Sequence, residues 1–285
     1  MSIIRGRLNR FLRFSNVDGP GNRFVLFLQG CNFDCINCHN PHTIGVCDGC
    51  GACVAPCPEE ALRLAPGPTV VVRRDRCTEC GVCIDVCPHD ATPLDRWVTV
   101  PEMFEEIRRT APFLSGITVS GGEATLQAEF VAALFRAVRR HPETAHLTTL
   151  VDSNGSAPPE VWNRLLPMMD GAMIDLKALD DATHVRLTGR HNDAVLASIR
   201  HLAGHDRLHE VRLLVVPGYS DDPEAMAATG RWLRRVAPRV PVRLIAFRRH
   251  GVRPAFAFLE EPDGDRMAEL AAALRRADIR DLVVV

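Results

Sequence analysis

The stretch FLQGCNFDCINCHNP, residues 27–41, sets Cys31, Cys35 and Cys38 at C-x3-C-x2-C spacing directly behind an apolar run, 24–28. Three thiolates can hold three irons of a cubane and leave the fourth open, or close a tetrahedral zinc site with His39 or His42. The apolar run is the first of six. Residues 24–28, 117–120, 147–151, 172–176, 211–216 and 242–247 are short stretches rich in Val, Ile, Leu and Phe that predict strands. Segments 128–140, 158–167, 193–203 and 222–236 predict helices between them, with 263–277 after the last. This alternation predicts an α/β fold around a parallel sheet, doubly wound or closed toward a barrel.

All 11 cysteines lie between Cys31 and Cys87, and residues 88–285 contain none. Their odd number and crowding argue against a disulfide scaffold and for metal binding in a reducing cytoplasm. Beyond the first three, each half of residues 46–92 reads C-x2-C-x2-C-x3-C-P, and a strand-like stretch, 69–72, separates the halves. This is the run of two-cluster ferredoxins, in which the fourth cysteine of each half serves the other cluster. It assigns Cys47, Cys50, Cys53 and Cys87 to cluster I, and Cys77, Cys80, Cys83 and Cys57 to cluster II. Paired zinc sites are the alternative for CxxC spacing. Residues 46–92 therefore read as an inserted ferredoxin-like domain, with 1–45 and 93–285 forming one α/β domain around it.

The chain has 285 residues, 46% hydrophobic and 24% charged, enough for a substantial core and unlike a disordered protein. Its 34 basic residues nearly balance 35 acidic ones, so nothing supports bulk attraction to nucleic acid or anionic membrane. No apolar stretch reaches the length of a membrane span. The Arg-rich opening MSIIRGRLNRFLRF is too often interrupted for a secretory core and reads as the start of the folded domain. Of the basic residues 33 are arginine, and Lys177 is the one lysine. That pattern reads as a position where a compact ammonium is required and a planar guanidinium does not serve, with chance survival in an Arg-rich chain as the alternative.

With VDGPGNR (17–23), SGGE (120–123), DSNG (152–155), DGAMIDLKA (170–178), LTGR (187–190) and VRLLVVPG (211–218), these cysteines place a likeness over nearly the whole chain. It resembles the radical S-adenosylmethionine (SAM) enzymes, among them the activating enzymes of glycyl-radical enzymes, and most of all the YjjW-type activases. The resemblance implies an incomplete (βα)6 barrel, whose active site gathers at the C-terminal strand ends. It implies three [4Fe–4S] clusters, with SAM chelating the open iron at Cys31, Cys35 and Cys38. Cleavage of SAM to a 5′-deoxyadenosyl radical would then take a hydrogen from a backbone glycine in the C-terminal glycyl loop of a partner enzyme, with flavodoxin or ferredoxin as reductant.

The same resemblance names the SAM contacts: Asn37, Cys38, His39, Gly121, Gly122, Glu123, Asp152, Asp175, Leu176, Lys177, Arg212 and Arg248. Gly121 and Gly122 suit a backbone that must approach a ligand closely. Asp175 and Lys177, two apart on a strand, face one side and suit the ribose and the methionine carboxylate, with Arg212 a further anchor for that carboxylate. Asp152, the Met173 carbonyl and Asp175 match positions that hold a monovalent cation in relatives, although Asp152 also suits an Asx turn in DSNG. Asp18 matches a loop that meets the partner. Three residues depart from the family: Asn37 stands where an aromatic is common, GGEP has become GGEA at Ala124, and Arg248 stands where His is usual. His201, His205 and His209 read as a solvated helix, Asp180 and Asp181 as a helix N-terminus, and 97–109 as a helix opening at Pro101. A radical SAM enzyme acting on a small molecule and an iron–sulfur electron carrier are the alternatives in function.

Overall fold

A computed structural model describes residues 3–285. In chain order the elements are β1 (Arg5–Ser15), β2 (Arg23–Leu28), β3 (Leu62–Ala65), β4 (Thr69–Val72), α1 (Val82–Asp85), β5 (Arg96–Thr99), α2 (Val100–Thr110), β6 (Gly116–Gly121) and α3 (Ala128–Arg140). There follow β7 (Thr148–Ser153), α4 (Pro159–Leu165), β8 (Gly171–Asp175), α5 (Asp181–Thr188), α6 (Asp193–Gly204), β9 (Leu208–Val215), α7 (Pro223–Val236), β10 (Val242–Ala246), α8 (Gly264–Arg276) and β11 (Leu282–Val284).

The six predicted strands are β2 and β6 to β10, adjacent in that order and parallel throughout. Three further strands extend the sheet. The short β11 joins β10 in parallel, while β1 and then β5 add antiparallel strands beyond β2. β11 and β5 are the two edges and do not pair, so the sheet is open. Even so, Phe27, Ser120, Asp152, Asp175, Arg212 and Ile245, one from each of the six strands, line a single cavity, so the sheet curls around it. The central strands are buried almost residue for residue, as in a parallel sheet covered by helices. The helices turn apolar stripes inward, with Phe130, Leu134, Phe135 and Val138 of α3, Trp162 of α4, Leu233 of α7 and Leu270 of α8 in one core.

Helix starts follow their sequence signals. Asp180 caps α5 by accepting from Thr183 N at 2.8 Å, as its acidic pair predicts. Pro101 opens α2, where Thr99 and Glu102 form a capping box. From Arg5 onward the Arg-rich opening is structured, as β1, and Met1 and Ser2 lie outside the described residues.

The cysteine-rich segment stands outside this sheet. There β3 and β4 form a separate antiparallel pair, and Cys53, Leu62 and Cys83, with Val70, Val72, Ile84 and Leu94 against them, make a small core of their own. Among the described residues no helix is long and apolar enough to cross a membrane.

Candidate active site

The strand register builds the site. Phe27 of β2 lies beside Ser120 of β6, Asp152 of β7 beside Met173 of β8, and Asp175 of β8 beside Arg212 of β9. A cavity of about 360 Å³ at these strand ends is lined by Cys31, Cys35, Cys38, Asn37, His39, Gly121, Gly122, Asp152, Asp175, Lys177, Arg212 and Asp18. Twelve of the residues singled out from sequence thus meet in one place.

The three-cysteine loop is held by backbone on every side. Gly30 N and Cys31 N donate to the carbonyls of Thr43 and Ile44, and Asp34 N and Ile36 N to those of Thr188 and Leu187. The Gly-Gly pair after β6 closes the remaining side. Gly121, at φ +126°, and Gly122 lie so near β2 and the loop that a Cβ would stand 2.1 Å from Leu28 N and 2.2 Å from Gly30 O. The glycines are thus required by neighbouring backbone whatever ligand enters.

Lys177 Nζ donates to Asp175 Oδ2 at 2.8 Å. Burial alone would lower the Lys177 ammonium, but the charge of the Asp175 carboxylate beside it outweighs burial, so its pKa rises and the charge is secure. Burial works to raise the Asp175 carboxyl, yet Lys177 and Arg212 bring it below its ordinary value. At Asp152 burial prevails even against Arg212, and the carboxyl lies above its ordinary value.

Arg212 is tightly engaged: it donates to Asp152 Oδ1 at 2.9 Å, to Glu210 Oε1 at 2.7 Å and to the Met173 Sδ at 3.0 Å. A guanidinium therefore already supplies the positive charge between Asp152 and Met173, where sequence reasoning placed a monovalent cation. The Asx turn in DSNG belongs to Asn154, whose Oδ1 accepts from Ser156 N at 2.9 Å, while Asp152 accepts from Ser120.

Three predicted SAM contacts lie elsewhere. Glu123 is fully buried and turned away from the cavity, accepting from Thr125 N at 2.9 Å, Asn154 N at 2.7 Å and Ser153 Oγ at 2.8 Å. It ties the loop after β6 to the end of β7. Arg248 is exposed and faces Glu261 at 3.5 Å. Leu176 is buried and lines a neighbouring apolar cavity with Ala178, Leu179 and Tyr219. The histidine series also divides: His201 and His205 sit at the end of α6, whereas His209 belongs to β9.

Sequence reasoning passed over Arg23. Completely buried, it donates to Thr118 Oγ1 at 2.7 Å and to the Ile117 carbonyl at 2.6 Å, and burial lowers its pKa to about 10. It underpins the turn that carries Asp18, whose carbonyl accepts from Thr118 Oγ1 at 2.7 Å. A charged residue opening a strand gives no signal that it will be buried.

The donor chemistry of the thiols suits a metal centre, and their spacing does not suit a single ion. Burial pushes Cys31 up to about 11 and Cys35 up to about 12, and it also raises Cys38. Each must lose its proton to bind metal. Among the described residues, only Asp48, Cys50 and His89, all exposed, bring three ligand atoms within 4.8 Å of one another. A tetrahedral zinc with Zn–S of about 2.3 Å needs its sulfurs about 3.8 Å apart, so no cysteine set is drawn in around one ion. In the insert, Cys57, Cys77, Cys80 and Cys83 surround one small cavity. Cys57 thus shares a cavity with the three cysteines of the second run, the grouping that the duplicated sequence suggests for cluster II.

Residues 25–229 match the family model described as the Radical SAM superfamily. The pyruvate formate-lyase 1-activating enzyme of Escherichia coli (strain K12) is 30% identical over 92% of this chain and 88% of its own length. The (2S)-3-sulfopropanediol dehydratase activating enzyme of Klebsiella oxytoca is 34% identical over 84% of this chain and 81% of its own. Among solved structures, a radical SAM methyltransferase from Sphaerobacter thermophilus is similar in fold, with a TM-score of 0.56 at 17% identity over 92% of this chain and 66% of that one.

Proposed function

The chain belongs to the radical SAM superfamily, among the activating enzymes of glycyl-radical enzymes, and from that premise we propose how its residues divide the work. The observation that carries the reading is the convergence of Cys31, Cys35, Cys38, Asp175, Lys177 and Asp18 on one cavity. Cys31, Cys35 and Cys38 would hold a [4Fe–4S] cluster with one iron open to SAM. When bound, the pair supplies one-electron cleavage of the sulfonium and so the 5′-deoxyadenosyl radical that takes hydrogen from the partner's glycine.

The protein's own part is orientation and exclusion of water. Lys177 presents a fixed ammonium to the methionine carboxylate, Asp175 orients that ammonium and reaches the ribose, and Arg212 completes the positive wall. Asn37 Oδ1 is buried without a hydrogen-bond partner at the edge of this cavity, an unsatisfied acceptor of the kind a bound ligand settles. His39 borders the same space. Asp18 lines the same cavity and would meet the partner's glycyl loop. Any monovalent cation at Asp152, the Met173 carbonyl and Asp175 has to share its place with Arg212.

We further read residues 1–45 and 93–285 as the incomplete (βα)6 barrel and 46–92 as a ferredoxin-like insert with two [4Fe–4S] clusters, an organisation closest to the YjjW-type activases. Flavodoxin or ferredoxin is the proposed reductant of the insert. Anaerobic incubation of the reconstituted protein and SAM with candidate glycyl-radical enzymes tests the reading. A glycyl EPR doublet that requires SAM and a particular partner supports it. Deoxyadenosine formation that proceeds fully with a small molecule and no protein partner would overturn it.

A further inference from the structure

Residues 247–254, following β10, cross the three-cysteine loop. The His39 ring rests 5.9 Å from that of Phe247, and Gly251 lies so close to His39 that a Cβ would stand 2.5 Å from its carbonyl oxygen. At the end of this strap, Arg253 Nη2 donates to the Cys35 carbonyl at 3.0 Å. Its Nη1 reaches Asp34, on the same loop, at 2.6 Å and Asp90, just beyond the last cysteine of the insert, at 2.8 Å. The guanidinium packs 4.9 Å from the Phe256 ring centroid, and the side chain is only 16% exposed.

The two ends of the insert meet at the same point. Gly45 N donates to the Asp90 carbonyl at 2.8 Å, and the Gln29 side chain holds the Gly45 carbonyl at 2.6 Å. Beside this junction, a cleft of about 1030 Å³ opens between insert and barrel, with Cys87, Asp90, His39, Arg248 and Arg253 on its walls. Arg253 touches both cysteine-bearing segments.

We propose that Arg253 is a positioning residue that pins the insert, three residues past Cys87, to the loop bearing Cys35 and so fixes the separation between cluster I and the cluster of the active site. A planar fork suits this task, because Nη1 reaches Asp90 on the insert side while Nη2 holds the Cys35 carbonyl of the loop. The proposal rests on the cluster reading above, although the pinning itself is a property of the polypeptide.

The test uses the reconstituted holoprotein and the variants Arg253→Gln, Asp90→Asn and Asp34→Asn. Arg253→Gln and Asp90→Asn should each lower hydrogen-exchange protection at Gly45 by roughly 10- to 150-fold, the range for one lost charge-assisted hydrogen bond. Their double variant should lose no more than either alone. Asp34→Asn, which leaves the insert-side contact intact, should change it little. In the fully reduced holoprotein, Arg253→Gln should weaken the spin–spin broadening between clusters while keeping the parent's iron content. Unchanged protection with unchanged broadening would overturn the proposal, as would additive effects in the double variant, or iron lost from the insert, which would make Arg253 a folding residue. If the parent itself holds only four irons, the cluster reading fails, and the exchange data at Gly45 still judge the pinning.

Discussion

The three-cysteine loop and the cysteine-rich insert carry the same ligand atom in opposite settings. On the loop, backbone hydrogen bonds to two chain segments and the Gly121–Gly122 approach hold thiols whose pKa values burial drives to about 11 at Cys31 and about 12 at Cys35, with Lys177 alongside. In the insert the core is a few residues, and Cys50 and Cys80 are exposed. A buried, charged and rigid setting suits chemistry on a bound ligand, and an exposed one suits exchange of electrons at the surface. Fold geometry separates the roles, since both regions are equally rich in cysteine.

The largest expected difference comes from removing ligands. Replacing Cys31, Cys35 and Cys38 by Ala should cost about four of roughly twelve irons per chain and abolish SAM cleavage. Cys50→Ala or Cys80→Ala should spare SAM binding and slow activation driven by flavodoxin or ferredoxin. Iron analysis and deoxyadenosine yield decide both, and an unimpaired Cys50→Ala enzyme with those donors removes the electron-supply role of the insert.

Next in size is Lys177. Lys177→Met deletes a charge-assisted hydrogen bond of about 1.5–3 kcal/mol, so SAM affinity should fall by roughly 10- to 150-fold. Lys177→Arg should also fail, because its fork cannot replace a point donor beside Asp175. Binding that matches the parent in the Arg variant would make the solitary lysine an accident of composition.

A pH prediction sharpens the contrast from the apo side. Cys31 and Cys35 have folded pKa values above the unfolded value of about 8.5, so the folded apo protein binds more protons than the unfolded chain between those limits. Their contribution to stability is whole below about pH 8.5 and falls as pH rises toward 11 to 12. Thermal midpoints of the apo protein should therefore decline above about pH 9, and less so in the triple Cys-to-Ala variant. Equal declines would mean that the loop thiols are not buried as described.

The smallest effects separate scaffold from ligand contact. Glu123→Ala leaves buried donors at Thr125, Ser153 and Asn154 unpaired and should cost about 1–3 kcal/mol of stability. Arg248→Ala should change SAM affinity by less than about twofold, since its side chain is an exposed surface partner of Glu261. A large loss of affinity in the Arg248 variant would restore it to the ligand site.

The six central strands and their helices were legible because each is a buried apolar run or a striped helix. β1 was not: Arg5, Arg7, Arg10 and Arg13 interrupt it, and its burial is partial along most of its length. The Lys177–Asp175 pair and the place of Cys57 beside the second cysteine run could be read from spacing along the chain. The roles of Glu123, Arg23 and Arg248 could not, since each depends on which way a loop or strand-end side chain turns. Ser153 and Asn154 draw Glu123 inward, Thr118 and the Ile117 carbonyl hold Arg23 under the Asp18 turn, and Glu261 holds Arg248 outside.

EPR of the reduced protein with and without SAM, compared between the Cys50→Ala/Cys80→Ala double variant and the Cys31, Cys35, Cys38 triple-Ala variant, tests the division of labour most directly. The account predicts that SAM perturbs a reduced-cluster signal in the double variant as it does in the parent, and perturbs none in the triple variant. A SAM-dependent change that survives in the triple variant and disappears in the double variant would place the SAM site in the insert and contradict it.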